Sequence, residues 1–157
     1  MANDFSYSDA GFALTKLFEG LRLTAYQDQG GVWTIGYGHT GPGVQAGLVI
    51  TQAQADIFLQ ADVARAVTAV NLLVTAAITQ GQFDALVDFA FNLGSSSLAH
   101  STLLKQVNAG DFAGAAQSFL LWDHIGKKVN PGLLRRRTAE VAMFNGQATV
   151  SGGGTSS

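Results

Sequence analysis

A chain of 157 residues, 47% of them apolar, is long enough to bury one core, and the absence of cysteine excludes disulfide staples and thiolate chemistry. The net charge is −2, and no apolar run approaches the roughly 18 residues of a membrane span, so stable membrane insertion is not expected. His39, His100 and His124 lack metal-ligand spacing, which argues against a zinc amidase and leaves no metal or other cofactor expected.

Residues 1–10 carry Asp4 and Asp9 and no basic residue, so no secretory signal or membrane anchor is expected. Helix one is predicted from about Ser8 to Glu19, with Phe12, Leu14, Leu17 and Phe18 on one side and Gly20 ending it. Glu19 is one of only two glutamates, the other being Glu140. At a helix end it meets outward-pointing carbonyls, and that negative dipole disfavours ionisation. A group held protonated in this way is what a general acid requires.

Leu23, Ala25 and Gln27 alternate with Thr24 and Tyr26, and Gln29-Gly30-Gly31 follows, so Asp28 is predicted at the polar tip of a hairpin, where a carboxylate stays charged. Trp33 to His39 alternates again as the returning strand, with Thr34 opposite to Trp33 and Ile35. A hydroxyl there can hold a water against a sugar. Two carboxyl groups in different environments suit hydrolysis of a glycosidic bond, which needs one protonated and one ionised. His39, beside glycines at a strand end, is expected to be a hydrogen-bonded structural group. Tyr26 and Trp33 are expected as half-buried strand aromatics, with a sugar-lining role as the alternative.

Beyond the hairpin the chain reads as helical. Thr51 with Gln54 is a capping-box signature opening a long helix through Ile57, Phe58, Ala61 and Arg65 towards Leu72, expected to bridge two lobes. Thr79 with Gln82 repeats the signal, and Phe83, Leu86, Val87, Ala90 and Phe91 then mark a core face, with Asp84 and Asp88 placed away from it. Ser101-Thr102 starts a short helix that ends at Asn108-Ala109-Gly110, and Asp111 caps a helix with Phe112, Ala115, Phe119 and Leu120 inward. Lys127 to Gly132 reads as a turn, and Leu133 to Phe144 as the last helix. Residues 151–157 read as a flexible Gly/Ser tail with no assigned function.

Residues 127–157 carry +4 and the remainder −6. The basic block has no interleaved aromatic platform, so no nucleic-acid partner is expected. Arg136 at i, i+4 and Arg137 at i, i+3 are both expected to pair with Glu140.

Glu19, an aspartate nine residues on and a threonine six beyond it stand within a longer pattern of Gly20, Arg22, Tyr26, Gly31, Ile35, Gly36, Gly38 and His39. With Leu86 to Gly94 and Gly132 to Glu140 in the same order, followed by Met143-Phe144, the chain resembles the phage-type lysozymes of glycoside hydrolase family 24 over roughly residues 8–147. The resemblance implies a lysozyme-like α+β fold, a small β-hairpin lobe plus a mainly helical lobe with the catalytic cleft between them. Residues 1–150 would form that single catalytic domain.

It further implies an endolysin that hydrolyses the β-1,4 bond between N-acetylmuramic acid and N-acetylglucosamine in bacterial peptidoglycan. Glu19 would be the acid, and Asp28 and Thr34 would position and activate water. One of Arg135, Arg136 and Arg137 would approach Glu19 across the cleft, favouring its ionised form and so opposing the helix dipole. The expected enzyme is a monomer that waits in the host cytoplasm and depends on a separate membrane-permeabilising protein to reach the wall. Direct attack of water inverts the anomeric carbon and needs carboxyl groups about 6.5 to 9.5 Å apart. A lytic transglycosylase and a catalytically silent glycan-binding protein are the alternatives.

Overall fold

The computed structural model describes residues 3–147, so the tail predicted at 151–157 lies outside the described residues. The elements in order are α1 Asp9–Glu19, β1 Arg22–Gln27, β2 Trp33–Gly36, α2 Gln52–Leu73, α3 Gln80–Leu93, α4 Ser95–Ala99, α5 Thr102–Asn108, α6 Phe112–Phe119, β3 His124–Ile125, β4 Lys128–Val129 and α7 Pro131–Phe144. They divide into two compact units: residues 15–65 form one, and the segments before and after them form the other. Both α1 and α2 contribute residues to each. Among the described residues, no helix is long and apolar enough to cross a membrane.

In the unit of residues 15–65, β1 and β2 pair antiparallel, with Tyr26 opposite Thr34, Gln27 opposite Trp33 and an irregularity towards Arg22. The segment around Val49 lies along the other edge of β1, where Ala25 N–H donates to Leu48 O and Ile50 N–H to Leu23 O, each at 2.9 Å. The returning strand is shorter than the predicted Trp33 to His39. It stops at Gly36, because Gly36 (φ 67°) and Gly38 (φ 87°) reverse the chain in a left-handed conformation that L side chains rarely adopt. Ile35 and His39 close this reversal with two backbone hydrogen bonds of 2.9 and 2.8 Å.

The capping box at Thr51 and Gln54 forms as read, with bonds of 3.1 and 2.9 Å, and α2 then buries Ala55, Leu59, Val63, Ala66 and Val70 at helical spacing. In α1 the inward stripe differs from the predicted one. Leu14 and Thr15 are buried, while Leu17 is 60% exposed, since it falls a full 100° or so off that stripe. Ser8 precedes the helix as a cap, its Oγ accepting from Gly11 N–H at 3.2 Å.

The other unit is layered helix on helix. α3 packs on α7 and α4, and α6 packs on α5 and α7. Phe89 is its aromatic centre, edge-on to Phe119 at 5.6 Å and to Trp122 at 5.4 Å, and Phe119 in turn meets Phe144 at 5.3 Å. The capping box at Thr79 and Gln82, and the caps at Ser101 and Asp111, all form. Two short elements depart from the expected turn and loop. α4 was not foreseen, and residues 124–129 form the β3–β4 hairpin around Gly126 (φ 62°). The last helix begins two residues early, at Pro131. Asn130 caps it by accepting from Leu133 N–H at 2.9 Å, and proline is preorganised for the first helical position.

Asp84 and Asp88 are buried rather than turned to water, at 2% and 0% exposure. α3 is covered on both faces, and each carboxylate has a dedicated partner. Asp84 accepts from the Ser8 backbone N–H, the Ser8 hydroxyl and Gln80 Nε2. Asp88 receives a fork from Arg136, Nε at 2.9 Å and Nη2 at 2.8 Å. The pairing of Glu140 is resolved accordingly. It goes to Arg137, with Nε 2.7 Å from Oε1 and Nη2 2.9 Å from Oε2, while Arg136 turns to Asp88. Arg137 Nη2 also donates to Asn92 Oδ1 at 2.8 Å, and its guanidinium lies over Phe89. Its Nη1 is buried with no hydrogen-bond partner among the described residues.

Removing one member of such a buried pair strands the other's charge. Asp88→Ala is expected to lower unfolding stability by about 3–5 kcal/mol in urea, against under about 1 kcal/mol for Lys16→Ala at the partly exposed Lys16–Asp56 pair. Burial holds the Glu140 carboxyl well above the ordinary glutamate range, and Asp88 adds to the shift by its hydrogen bond and charge, while Arg137 and Arg136 oppose it. The folded state therefore keeps a proton that the unfolded chain releases above about pH 4.3. Stability contributed at this site is complete below that pH and is lost as pH rises towards the folded-state value. Urea titrations from pH 4 upward are expected to show this decline in wild type and its absence in Glu140→Gln.

Candidate active site

Glu19, Asp28 and Thr34 all belong to the unit of residues 15–65. Glu19 is the last residue of α1 and half-buried; Gly20 (φ 73°) ends the helix behind it, its N–H reaching Lys16 O at 3.0 Å. One turn earlier, Lys16 pairs with Asp56 of α2 at 3.1 Å and lies 5.5 Å from the centroid of the Tyr37 ring. The end of α1 is thereby tied both to α2 and to the reversal after β2. The Glu19 carboxyl lies against that same reversal. A Cβ placed on Gly38 would stand 3.0 Å from Glu19 Oε1.

Asp28 is exposed at the hairpin loop, as expected, but its carboxylate is latched. Oδ1 accepts from Gly30 N–H at 2.8 Å and Val32 N–H at 2.9 Å, an Asx-type closure of the loop. Oδ2 has no hydrogen bond among the described residues. The Val32 carbonyl accepts from Asp28 N–H at 2.9 Å and from Thr34 Oγ1 at 2.9 Å. A single peptide residue, Val32, therefore orients both the carboxylate and the hydroxyl. Thr34 is 4% exposed, and because its hydroxyl hydrogen is committed to Val32, what it offers a ligand is a lone pair.

His39 fills the structural role read for it: Nδ1 is 2.8 Å from Asp62 Oδ2, and the ring stacks on Phe58 at 4.2 Å. Tyr26 and Trp33 are half-buried, and the Arg22 guanidinium covers the Tyr26 ring at 4.4 Å.

Asp28 and Thr34 are thus both held by one residue, Val32, and Glu19 lies against Gly38, in the reversal four residues beyond Thr34. Sequence reasoning missed Val32 and Gly38. Val32 leaves no side-chain signal because it acts through its backbone, whereas Gly38 had one, a glycine in the pattern around Thr34 to which no role was given. Chemically the set comprises a carboxyl seated on a tight turn, a carboxylate with one oxygen latched, and a hydroxyl acceptor.

The phage lysozyme family model matches residues 16–140. An endolysin of Acyrthosiphon pisum secondary endosymbiont phage 1 is 45% identical over 141 residues, covering 87% of this chain and 96% of the relative. Among solved structures, an endolysin from Escherichia coli O157:H7 phage FAHEc1 superposes with TM-score 0.86 at 37% identity, over 92% of this chain and 96% of that one. A mutant of the lysozyme of phage P22 does so with TM-score 0.83 at 38% identity, over 90% and 99%. An α+β content, mostly helices with a small two-stranded antiparallel hairpin, agrees with these structures, and the chain belongs to the phage lysozyme family.

Proposed function

We propose that this chain is an endolysin muramidase, hydrolysing the β-1,4 bond between N-acetylmuramic acid and N-acetylglucosamine of bacterial peptidoglycan and so lysing the host. The observation that carries the reading is the shared anchor at Val32, since a carboxylate and a hydroxyl preorganised on one residue suit the handling of a single water. Glu19 donates its proton to the glycosidic oxygen as the bond to the anomeric carbon breaks. Water attacks that carbon, directing one hydrogen to the Thr34 lone pair and giving the other to Asp28 Oδ2. The products are a reducing end carrying the water oxygen and a free sugar hydroxyl. Solvent returns the proton from Asp28 to Glu19.

Direct attack implies inversion, which NMR of the first-formed anomer reads. Neither alternative is favoured. A transglycosylase needs no water-positioning pair, and its anhydro products are lighter by one water in mass spectra. A silent binder would leave turbidity unchanged.

The proposal includes residues 1–150 as one catalytic domain acting as a monomer. It also includes residence in the host cytoplasm until a separate membrane-permeabilising protein gives access to the wall. Protein added from outside would then clear permeabilised cells and spare intact ones.

Glu19→Gln is expected to abolish clearing of permeabilised cells, a loss on the order of 10²–10⁴-fold or more. Its melting temperature should stay near that of wild type. Normal clearing by this variant would remove Glu19 from the mechanism. Asp28→Asn retains an oxygen for Gly30 and Val32 but loses the charge. Its stability should change by less than about 0.5 kcal/mol, and kcat should drop with KM held. Wild-type kcat in this variant would exclude a base at position 28.

A further inference from the structure

We infer that Gly38 is a positioning residue for the acid, the space left by its absent side chain being the seat of Glu19 Oε1. The inference rests on the reading of Glu19 given above. An ideal Cβ at Gly38 would lie 3.0 Å from Oε1, tighter than an ordinary van der Waals contact, and 3.9 Å from Cδ, which is an ordinary one. Where such a collision is built in, the softer partner moves.

The turn is the stiffer one. Ile35 and His39 exchange both backbone hydrogen bonds across it. Tyr37, before Gly38, is 6% exposed beneath Lys16, and His39, after it, is held by Asp62 and Phe58. Glu19 Oε1, by contrast, is the far end of a side chain with three rotatable bonds. A methyl group at position 38 therefore displaces the carboxyl and leaves the backbone in place. The glycine's role is then to fix where the proton sits, and its conformational freedom at φ 87° is a separate requirement.

Gly43 separates the two requirements. It has the same left-handed conformation, φ 89°, and no atom within 4 Å of an ideal Cβ. Gly43→Ala carries the backbone strain alone and is expected to lose stability while keeping kcat and KM close to wild type. Gly38→Ala is expected to lose a similar amount of stability but to lower kcat by roughly tenfold, since a displacement of a few tenths of an ångström falls short of the 1 Å that costs about 10²-fold, with KM for solubilised peptidoglycan within about twofold. Gly38→Asn, which tolerates positive φ yet carries a Cβ, covers the case in which the alanine variant folds poorly, and the same drop in kcat is expected. In a Glu19→Gln background, Gly38→Ala should change the residual rate no further.

Wild-type kcat in Gly38→Ala or Gly38→Asn, with Glu19→Gln inactive, overturns the positioning role alone. Full activity of Glu19→Gln overturns the reading beneath it. Equal loss of kcat in Gly43→Ala and Gly38→Ala also overturns the proposal, since strain would then account for both.

Discussion

At the end of α1 a carboxyl and a backbone turn come so close that even a Cβ would crowd them, and the elements of residues 15–65 converge on that contact. The helix must stop at Glu19, which Gly20 achieves; β2 must stop at Gly36, so that the chain reverses in time to bring Gly38 beneath the carboxyl. Lys16, Tyr37, His39, Asp56 and Asp62 then tie helix, reversal and α2 together by partly exposed pairs and ring contacts. Each such tie contributes under about 1 kcal/mol. Their value lies in direction, because several weak constraints from different elements leave the turn little freedom to retreat.

The two units satisfy polar groups in different ways. At the hairpin loop, Asp28 and Thr34 use main-chain partners, chiefly the N–H and C=O of Val32, and Asp28 stays in water. In the helical unit, Asp88, Arg136, Arg137 and Glu140 are buried and pair with one another and Asn92, with Arg137 Nη1 left without a hydrogen bond among the described residues. Burying four ionisable groups is expensive, and well-packed apolar residues of the same volume are often as stable. What the polar set adds is direction: the fork of Arg136 on Asp88 and the bond of Arg137 to Asn92 favour one approach of α7 to α3, so the pairings define how the two faces register.

What could be read in the sequence followed the range of the interaction. The capping boxes at Thr51 and Thr79 and the caps at Ser101 and Asp111 are decided within three residues, and all four form. Pro131 carried an ambiguous local signal, since proline suits both a turn and the first helical position, and the Asn130 cap decides between them. Asp84 and Asp88 are buried against Ser8 and Arg136, which lie 76 and 48 residues away, beyond the reach of periodicity. The candidate site was legible as a set of residue types at fixed spacing. How they are held was not, because Val32 acts through its main chain and Gly38 through the side chain it lacks.

The β3–β4 hairpin, His124 to Val129, turns at Gly126-Lys127 with every residue exposed, and α7 begins immediately afterwards on its own Asn130 cap. Because the turn residues bear no packing, the loop is a point where foreign sequence can be spliced in with the helices on either side left intact. For a chain of modest basic content, that offers an internal attachment point for a wall-targeting module, an alternative to fusing one at a terminus.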